Sequence, residues 1–208
     1  MMKWDEYYKK KGFFEWLNAL YFSRLFTREI SKNTKPRDRM LEAGCGSGML
    51  SVMLAQRGHD VELLDLSRQA IRVSHTNFAR HKVKRPKTHI ANIFNMPFKG
   101  KEFDVVFNQG VIEHFDEPSR AIKEMLRVGK KVIVLVPAHN SPMHLIYLFF
   151  RFIKKPGWWF FEDQAFFQKR QLEKAMKLAG CKNIHVHKIR LSFGMTLIGV
   201  GDNGRQKR

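Results

Sequence analysis

A glycine-rich turn between two apolar runs constrains the fold of this chain more than any other feature. The first run, Met40 to Ala43, leads into glycines at positions 44, 46 and 48, and the second run, Val61 to Leu64, ends on Asp65. A helical apolar pattern separates the two runs, and such a strand–helix–strand unit places its strands in parallel. Glycines let a ligand approach the backbone, and the helix that follows offers unpaired N–H groups at its positive end. The unit therefore predicts a site for a nucleoside-bearing cofactor, with Asp65 placed to accept hydrogen bonds from ribose hydroxyls.

The spacing of the glycines discriminates between cofactors. A dinucleotide fingerprint requires Gly-x-Gly-x-x-Gly, and the position of its last glycine is occupied here by Met49. The sequence instead reads Glu-x-Gly-x-Gly-x-Gly from Glu42 onward, which resembles the first motif of class I S-adenosylmethionine-dependent methyltransferases. In that family the glycine turn lies against the methionine and ribose parts of S-adenosylmethionine, and the acid after the second strand holds the ribose hydroxyls.

Later motifs extend this resemblance over residues 38–200. The segment Asn92 to Phe98 is similar to the family's pattern after the third strand, with Asn92 in place of the usual aspartate. An amide oxygen can still accept a hydrogen bond from the adenine amine, and the alternative is that Asn92 is a plain turn residue. The run Phe103 to Gly110 reads as the fourth strand, and the Glu-His pair that follows it resembles the family's helix start. The resemblance implies these cofactor-binding residues: Glu42, Gly44, Cys45, Gly46, Gly48, Asp65, Leu66, Asn92, Ile93, Asn108 and Gln109.

His114 is the candidate catalytic residue, because ligands of open parallel sheets bind at the carboxyl ends of the strands. It would act as a base or orient the methyl acceptor. A structural histidine paired with a neighbouring carboxylate is an equally good interpretation. Methyl transfer from a sulfonium depends mostly on proximity and orientation, so a base is required only where the acceptor must lose its proton early. The sequence contains no metal-type cluster, and we expect no metal.

Together these patterns predict a Rossmann-like α/β fold: a seven-stranded, mostly parallel sheet with helices on both faces and an antiparallel last strand. We expect an N-terminal helical cap over residues 1–37, a methyltransferase domain over residues 38–200 and a basic tail over residues 201–208. Within the domain, Ser67 is placed to cap a helix, and residues 183–200 read as a terminal hairpin.

An aromatic and basic insertion over residues 137–168 follows the predicted fifth strand. Its central segment, Ser141 to Phe161, starts with a Ser-Pro helix cap, carries apolar residues on one face and basic residues on the other, and ends in Trp-Trp-Phe-Phe. Two interpretations remain open and are compatible: an interfacial helix on a membrane, or a lid that closes the substrate pocket.

The charge predicts an anionic partner. Lys and Arg total 38 against 19 acids, a net charge of +19, which suits nucleic acid or an anionic lipid surface; a solvated basic face without specific use is the alternative. The run Arg80 to Lys87 is the strongest candidate for contact with phosphates. Two cysteines without a disulfide framework, no secretory signal and no apolar run of about 20 residues predict a cytoplasmic protein that is at most peripheral to a membrane.

The sequence therefore predicts an S-adenosylmethionine-dependent methyltransferase. Its resemblance to ubiquinone- and menaquinone-pathway methyltransferases implies a small or lipid-like acceptor. An RNA methyltransferase is the first alternative, although the fourth strand ends in Asn-Gln-Gly-Val rather than the Asn-Pro-Pro-aromatic run of enzymes that methylate base amines. The second alternative is a non-catalytic scaffold that binds the cofactor.

Overall fold

A computed structural model describes residues 13–142, 144, 145, 148 and 165–204 of the chain. Most of the predicted insertion segment, including its Trp-Trp-Phe-Phe run, lies outside the described residues, as do residues 1–12 and 205–208. The described helices are α1 (Phe13–Ser31), α2 (Met49–Ala55), α3 (Arg68–Arg80), α4 (Pro118–Val128) and α5 (Lys169–Leu178). The strands are β1 (Arg39–Ala43), β2 (Asp60–Asp65), β3 (Lys87–Ile90), β4 (Phe103–Gln109), β5 (Gly129–Pro137), β6 (Lys182–Lys188) and β7 (Thr196–Asp202).

The seven strands form one sheet in the order β3-β2-β1-β4-β5-β7-β6. Strands β1 to β5 pair in parallel. Strand β7 runs antiparallel to both of its neighbours, β5 and β6. The predicted fold class, including the reversed last strand, is confirmed.

Both faces of the sheet are covered, because successive strand residues point to opposite sides. Met40 of β1 belongs to a core shared with α1, α2 and α3, whereas the next residue, Leu41, belongs to a core shared with α4 and α5. In β4, Phe107 belongs to the same core as Met40, and Val106 belongs to the same core as Leu41. This three-layer arrangement explains why the central strands are almost continuously apolar.

Local signals set most of the helix boundaries. The Ser67 hydroxyl accepts a hydrogen bond from the Ala70 N–H at 3.0 Å, which confirms the predicted cap of α3. Helix α2 begins at Met49 rather than at Ser47, because Gly48 takes the left-handed conformation with a φ of 68° and keeps the preceding residues in the turn. The glycine turn is consequently longer, and the helix shorter, than the apolar pattern predicts.

Candidate functional site

The candidate site lies where the order of the strands reverses. From β1 the chain winds outward through β2 and β3, and it then crosses to β4 on the other side of β1. In open α/β sheets a crevice forms at this switch point, outside the carboxyl ends of the strands, and ligands bind there. Gly44 follows β1 and Val111 follows β4, and a Cβ atom added to Gly44 would lie 2.6 Å from Cγ2 of Val111. The loops that leave the two strands therefore meet at the crevice.

The three predicted glycines form a turn that requires glycine. Gly44, Gly46 and Gly48 have φ values of 81°, 50° and 68°, all in the left-handed region that residues with a Cβ atom rarely adopt. A Cβ atom on Gly48 would also lie 2.8 Å from Cβ of Ser74 on α3. The turn is thus fitted closely between α3 and the loop after β4, and a ligand in the crevice meets backbone rather than side chains.

The turn is hydrogen-bonded to the end of β2. The N–H groups of Gly44 and Cys45 both donate to the Leu64 carbonyl, at 2.7 and 3.0 Å. Asp65, the next residue, accepts from the Gly46 N–H through Oδ2 and from the Ser67 N–H through Oδ1, both at 2.9 Å. The structure therefore brings the predicted ribose-binding acid into direct contact with the glycine turn and fixes the orientation of its carboxylate.

Two predicted site residues lie beneath the turn. Glu42 is 3% exposed and accepts a hydrogen bond from the Ser51 hydroxyl of α2. Burial raises the pKa of the Glu42 carboxyl to about 8, so this acid is mostly protonated at pH 7. Cys45 is also buried, and burial raises the pKa of its thiol. These two side chains support the turn from the interior.

At the β3 side of the crevice, the residues predicted to contact adenine form a tight turn. Asn92 is exposed, and its Oδ1 accepts a hydrogen bond from the Phe94 N–H at 3.0 Å. Ile93 between them is 7% exposed. Leu66 follows Asp65 and is 59% exposed, so its apolar side chain lies open to solvent next to the turn.

Strand β4 separates its last two polar residues. Asn108 is fully buried, and its Nδ2 donates to Sδ of Met125 on α4 at 3.5 Å. Gln109, which follows it, is half-buried at the carboxyl end of the strand. Because neighbouring side chains alternate between faces, the structure places Asn108 in the core beside α4 rather than among the exposed polar groups at the crevice.

The turn after β4 holds the Glu-His pair. Glu113 is 3% exposed, and burial raises the pKa of its carboxyl to about 8. Among the residues that the structure describes, none hydrogen-bonds to its Oε2 atom. His114 is half-buried, and its backbone N–H donates to the Val111 carbonyl at 3.2 Å. Sequence reasoning singled out His114 and missed Glu113, although the apolar residues on both sides of the pair are a signal of burial.

A second group that sequence reasoning missed lies after β5. The rings of His139 and His144 pack with centroids 4.1 Å apart and planes tilted by 42°, and His144 also packs against Phe166 at 4.7 Å. The Nδ1 atom of His139 is buried and has no hydrogen-bond partner within the described part of the chain. Because β5 is the neighbour of β4, this pair lies on the side of the crevice opposite the glycine turn. The N–H of His144 donates to the hydroxyl of the predicted helix cap Ser141 at 3.2 Å, but nothing in the sequence relates His144 to His139.

The described residues include no helix long and apolar enough to cross a bilayer.

Comparison with known proteins finds similarity to methyltransferases. Residues 41–135 match the family model described as a methyltransferase domain. An uncharacterized methyltransferase of Schizosaccharomyces pombe is 31% identical over 108 residues, which is 48% of this chain and 38% of that protein. A ubiquinone biosynthesis O-methyltransferase of Ralstonia nicotianae is 30% identical over 111 residues, which is 52% of this chain and 47% of that protein. The chain thus spans less than half of the length of these two curated relatives.

Among solved structures, magnesium protoporphyrin IX methyltransferase from Synechocystis, crystallised with bound SAH, has a TM-score of 0.70 to this chain. The alignment covers 94% of this chain and 89% of that chain at 17% sequence identity. At this identity the likeness shows the fold alone.

Proposed function

We propose that this chain, whose residues 41–135 form a methyltransferase domain of the class I S-adenosylmethionine-dependent type, transfers a methyl group from S-adenosylmethionine to a small or lipid-like acceptor. One observation carries the proposal: the Gly46 N–H donates to the Asp65 carboxylate at 2.9 Å at the switch point of the sheet. This contact joins the glycine turn and the ribose acid into one preformed site.

The residues present fit the cofactor that the family implies. The three left-handed glycines let it approach the backbone, and Asp65, held by two N–H groups, would accept hydrogen bonds from its ribose hydroxyls. The exposed side chain of Leu66 offers an apolar face for the adenine ring, and Asn92 and Ile93 would line its other side. The bound cofactor supplies a methyl group on a sulfonium, which is already a good leaving group.

The protein's main task in such a reaction is to align the acceptor. His114 lies after β4, at the rim of the crevice, and would receive the acceptor's proton on an imidazole nitrogen where deprotonation is needed. The packed pair His139 and His144 would bound the crevice on the β5 side. Large apolar side chains are exposed after β5 and in the turn before β7, and they suit an apolar acceptor: Leu145, Leu148, Leu191 and Phe193.

Methyl transfer assayed with methyl-labelled S-adenosylmethionine tests this proposal. The protein is incubated separately with lipid extract, RNA and protein fractions, and each product is separated from the cofactor before counting. We expect label in the lipid extract. Calorimetric titration with S-adenosylhomocysteine runs in parallel, and binding without transfer to any fraction would favour the non-catalytic scaffold.

RNA is a second candidate acceptor, favoured by one observation. Residues 66–101 contain no Asp or Glu. Six exposed basic side chains lie on α3 and the loop after it: Arg68, Arg72, Arg80, Lys82, Lys84 and Arg85. A positively charged surface attracts a phosphate backbone, and the affinity of the protein for RNA should fall steeply with salt. If label appears in the RNA fraction and is lost when Lys82, Lys84, Arg85 and Lys87 are neutralised, RNA is the acceptor.

A further inference from the structure

The turn between β6 and β7 exposes two large apolar side chains. Phe193 is 73% exposed and Leu191 is 55% exposed. Phe193 has the greatest exposure of any large apolar side chain among the described residues. Single exposed leucines are common on protein surfaces, but two such side chains at the tip of one turn are not explained by folding of the domain itself.

The tip is held rigidly in this arrangement. Ser192, between the two apolar residues, is fully buried; its hydroxyl donates to the Ile189 carbonyl at 2.7 Å and accepts from the Thr196 N–H at 3.1 Å. The Tyr21 hydroxyl of α1 donates to the Leu191 carbonyl at 3.1 Å. Because the centre of the turn is fixed inward, its two neighbours are directed outward.

The backbone at the tip is strained. Phe193 has a φ of 52°, in the left-handed region that is a genuine outlier for a bulky residue. Glycine would adopt this conformation more readily, and a polar residue would be better solvated at this exposure. Residues kept in an unfavourable conformation cluster at functional sites, so the aromatic side chain itself is the feature that needs an explanation.

The charges around the tip favour one class of partner. Lys188 and Arg190 directly precede the two apolar residues and are exposed, and the chain carries no Asp or Glu between Glu173 and Asp202. The Lys188 ammonium also donates to the carbonyls of His139 and Asn140, at 3.5 and 3.4 Å, which ties the turn to the β5 side of the crevice. Exposed apolar side chains next to cations match the interface of an anionic bilayer, where acyl chains lie below phosphate groups.

We propose that the tip formed by residues 189–195 is a membrane-contact site: Leu191 and Phe193 enter the interface of an anionic bilayer while Lys188 and Arg190 contact lipid phosphates. Such contact would present the crevice to a membrane-borne acceptor. The site itself does not depend on methyl transfer, so its test is independent of the proposed function. A nucleic acid would gain from the cations but would leave Leu191 without a partner.

An environment-sensitive fluorophore on a single introduced cysteine tests the site directly. Both native cysteines, Cys45 and Cys181, are buried, so Leu191→Cys can be labelled selectively. The matched control is Leu178→Cys, since Leu178 is 67% exposed but lies at the end of α5, just before β6 begins, whereas the tip follows the other end of that strand. With vesicles of phosphatidylcholine and phosphatidylglycerol, we expect the fluorescence emission at position 191 to shift to the blue and to be protected from an aqueous quencher. At position 178 we expect neither change.

Unlabelled variants measure how much the tip contributes. The double variant Leu191→Ser, Phe193→Ser should lower vesicle partitioning by at least about tenfold at 0.5 M salt, where charge attraction is screened. Leu178→Ser should leave partitioning unchanged. The melting temperature and S-adenosylhomocysteine binding of each variant verify the fold.

Three results would overturn the proposal. One is equal partitioning of the double variant and the wild type. Another is a blue shift at position 191 with RNA but not with vesicles, which would assign the tip to nucleic acid through stacking of Phe193 on a base. The third is a blue shift that grows with protein concentration in the absence of vesicles, which would make the tip a self-association site.

Discussion

The two ends of the crevice differ in how their polar groups are held. At the cofactor end, the N–H groups of the glycine turn bond to the end of β2, and Asp65 is fixed by two backbone donors. At the acceptor end, Glu113 Oε2 and His139 Nδ1 are buried without a hydrogen-bond partner in the described part of the chain. A group left in this state is costly unless something else satisfies it. The backbone therefore supplies the partners at the glycine turn, whereas these two atoms near the ends of β4 and β5 have none among the described residues.

Removal of the Asp65 carboxylate should have the largest effect. Asp65→Ala should weaken S-adenosylhomocysteine binding roughly 10-fold to 100-fold, because hydrogen bonds to a charged acceptor are worth about 1.5–3 kcal/mol. Isothermal titration calorimetry measures the change. Asp60→Ala is the matched control, since Asp60 begins the same strand at its far end. Unchanged affinity in Asp65→Ala would remove this residue from the site and end the distinction between the two ends.

Gly44→Ala tests whether the turn is as closely fitted as its contacts indicate. The left-handed conformation costs a non-glycine residue about 1–2 kcal/mol, and the new Cβ atom also overlaps Val111, so we expect the melting temperature to fall by about 2–8 °C. Combining it with Val111→Ala should restore part of the loss by relieving the overlap but not the backbone strain. Full recovery in the double variant would show that the conformation of Gly44 contributes little.

The buried acids predict a pH dependence of stability at both ends. Burial raises the pKa values of Glu42 and Glu113 to about 8, above the ordinary value of 4.5, so the folded state binds more protons than the unfolded state between these values. Stability should therefore fall as pH rises from about 5 to 8. Glu42→Gln and Glu113→Gln should each reduce this fall, measured as melting temperature against pH.

The exposed Glu117 provides the control for this experiment, because Glu117→Gln should leave the pH dependence unchanged. If S-adenosylhomocysteine changes the pH dependence of the melting temperature differently in Glu113→Gln and in Glu42→Gln, the two buried acids respond differently to the bound ligand. An identical pH profile in the wild type and in both buried-acid variants would contradict the burial of a neutral carboxyl at either end.

Phe193→Gly should have the smallest effect on stability, and it should stabilise the protein rather than destabilise it. Glycine relieves a conformation that costs about 1–2 kcal/mol but restores about 0.5–1 kcal/mol of backbone freedom to the unfolded chain. We expect the free energy of unfolding to rise by up to about 1 kcal/mol. Leu191→Gly, in the preceding helical turn, should not be stabilising. Loss of stability in Phe193→Gly would mean that the aromatic ring is retained for folding rather than for a partner.

Short-range chemistry explains why much of the cofactor end was predictable. Glycine spacing, apolar runs and the Ser67 cap act within a few residues of each other, so the sequence by itself determined the strand–turn–helix unit, the order of the elements and the position of Asp65 at a strand end. The start of α2 was the exception, because the left-handed conformation of Gly48 interrupts an apolar pattern that continues through it.

The tertiary structure decided which of these residues face the crevice. Asn108 and Gln109 are adjacent in sequence and carry the same amide group, yet the packing of α4 buries Asn108 against Met125. The burial of Glu113 depends on the elements that the whole fold packs around it, and the contact of His139 with His144 and the outward direction of Phe193 depend on the path that the backbone takes after β5 and after β6. No local pattern encodes such placements, because the free energy of a buried polar group is set by the neighbours that the whole fold brings to it.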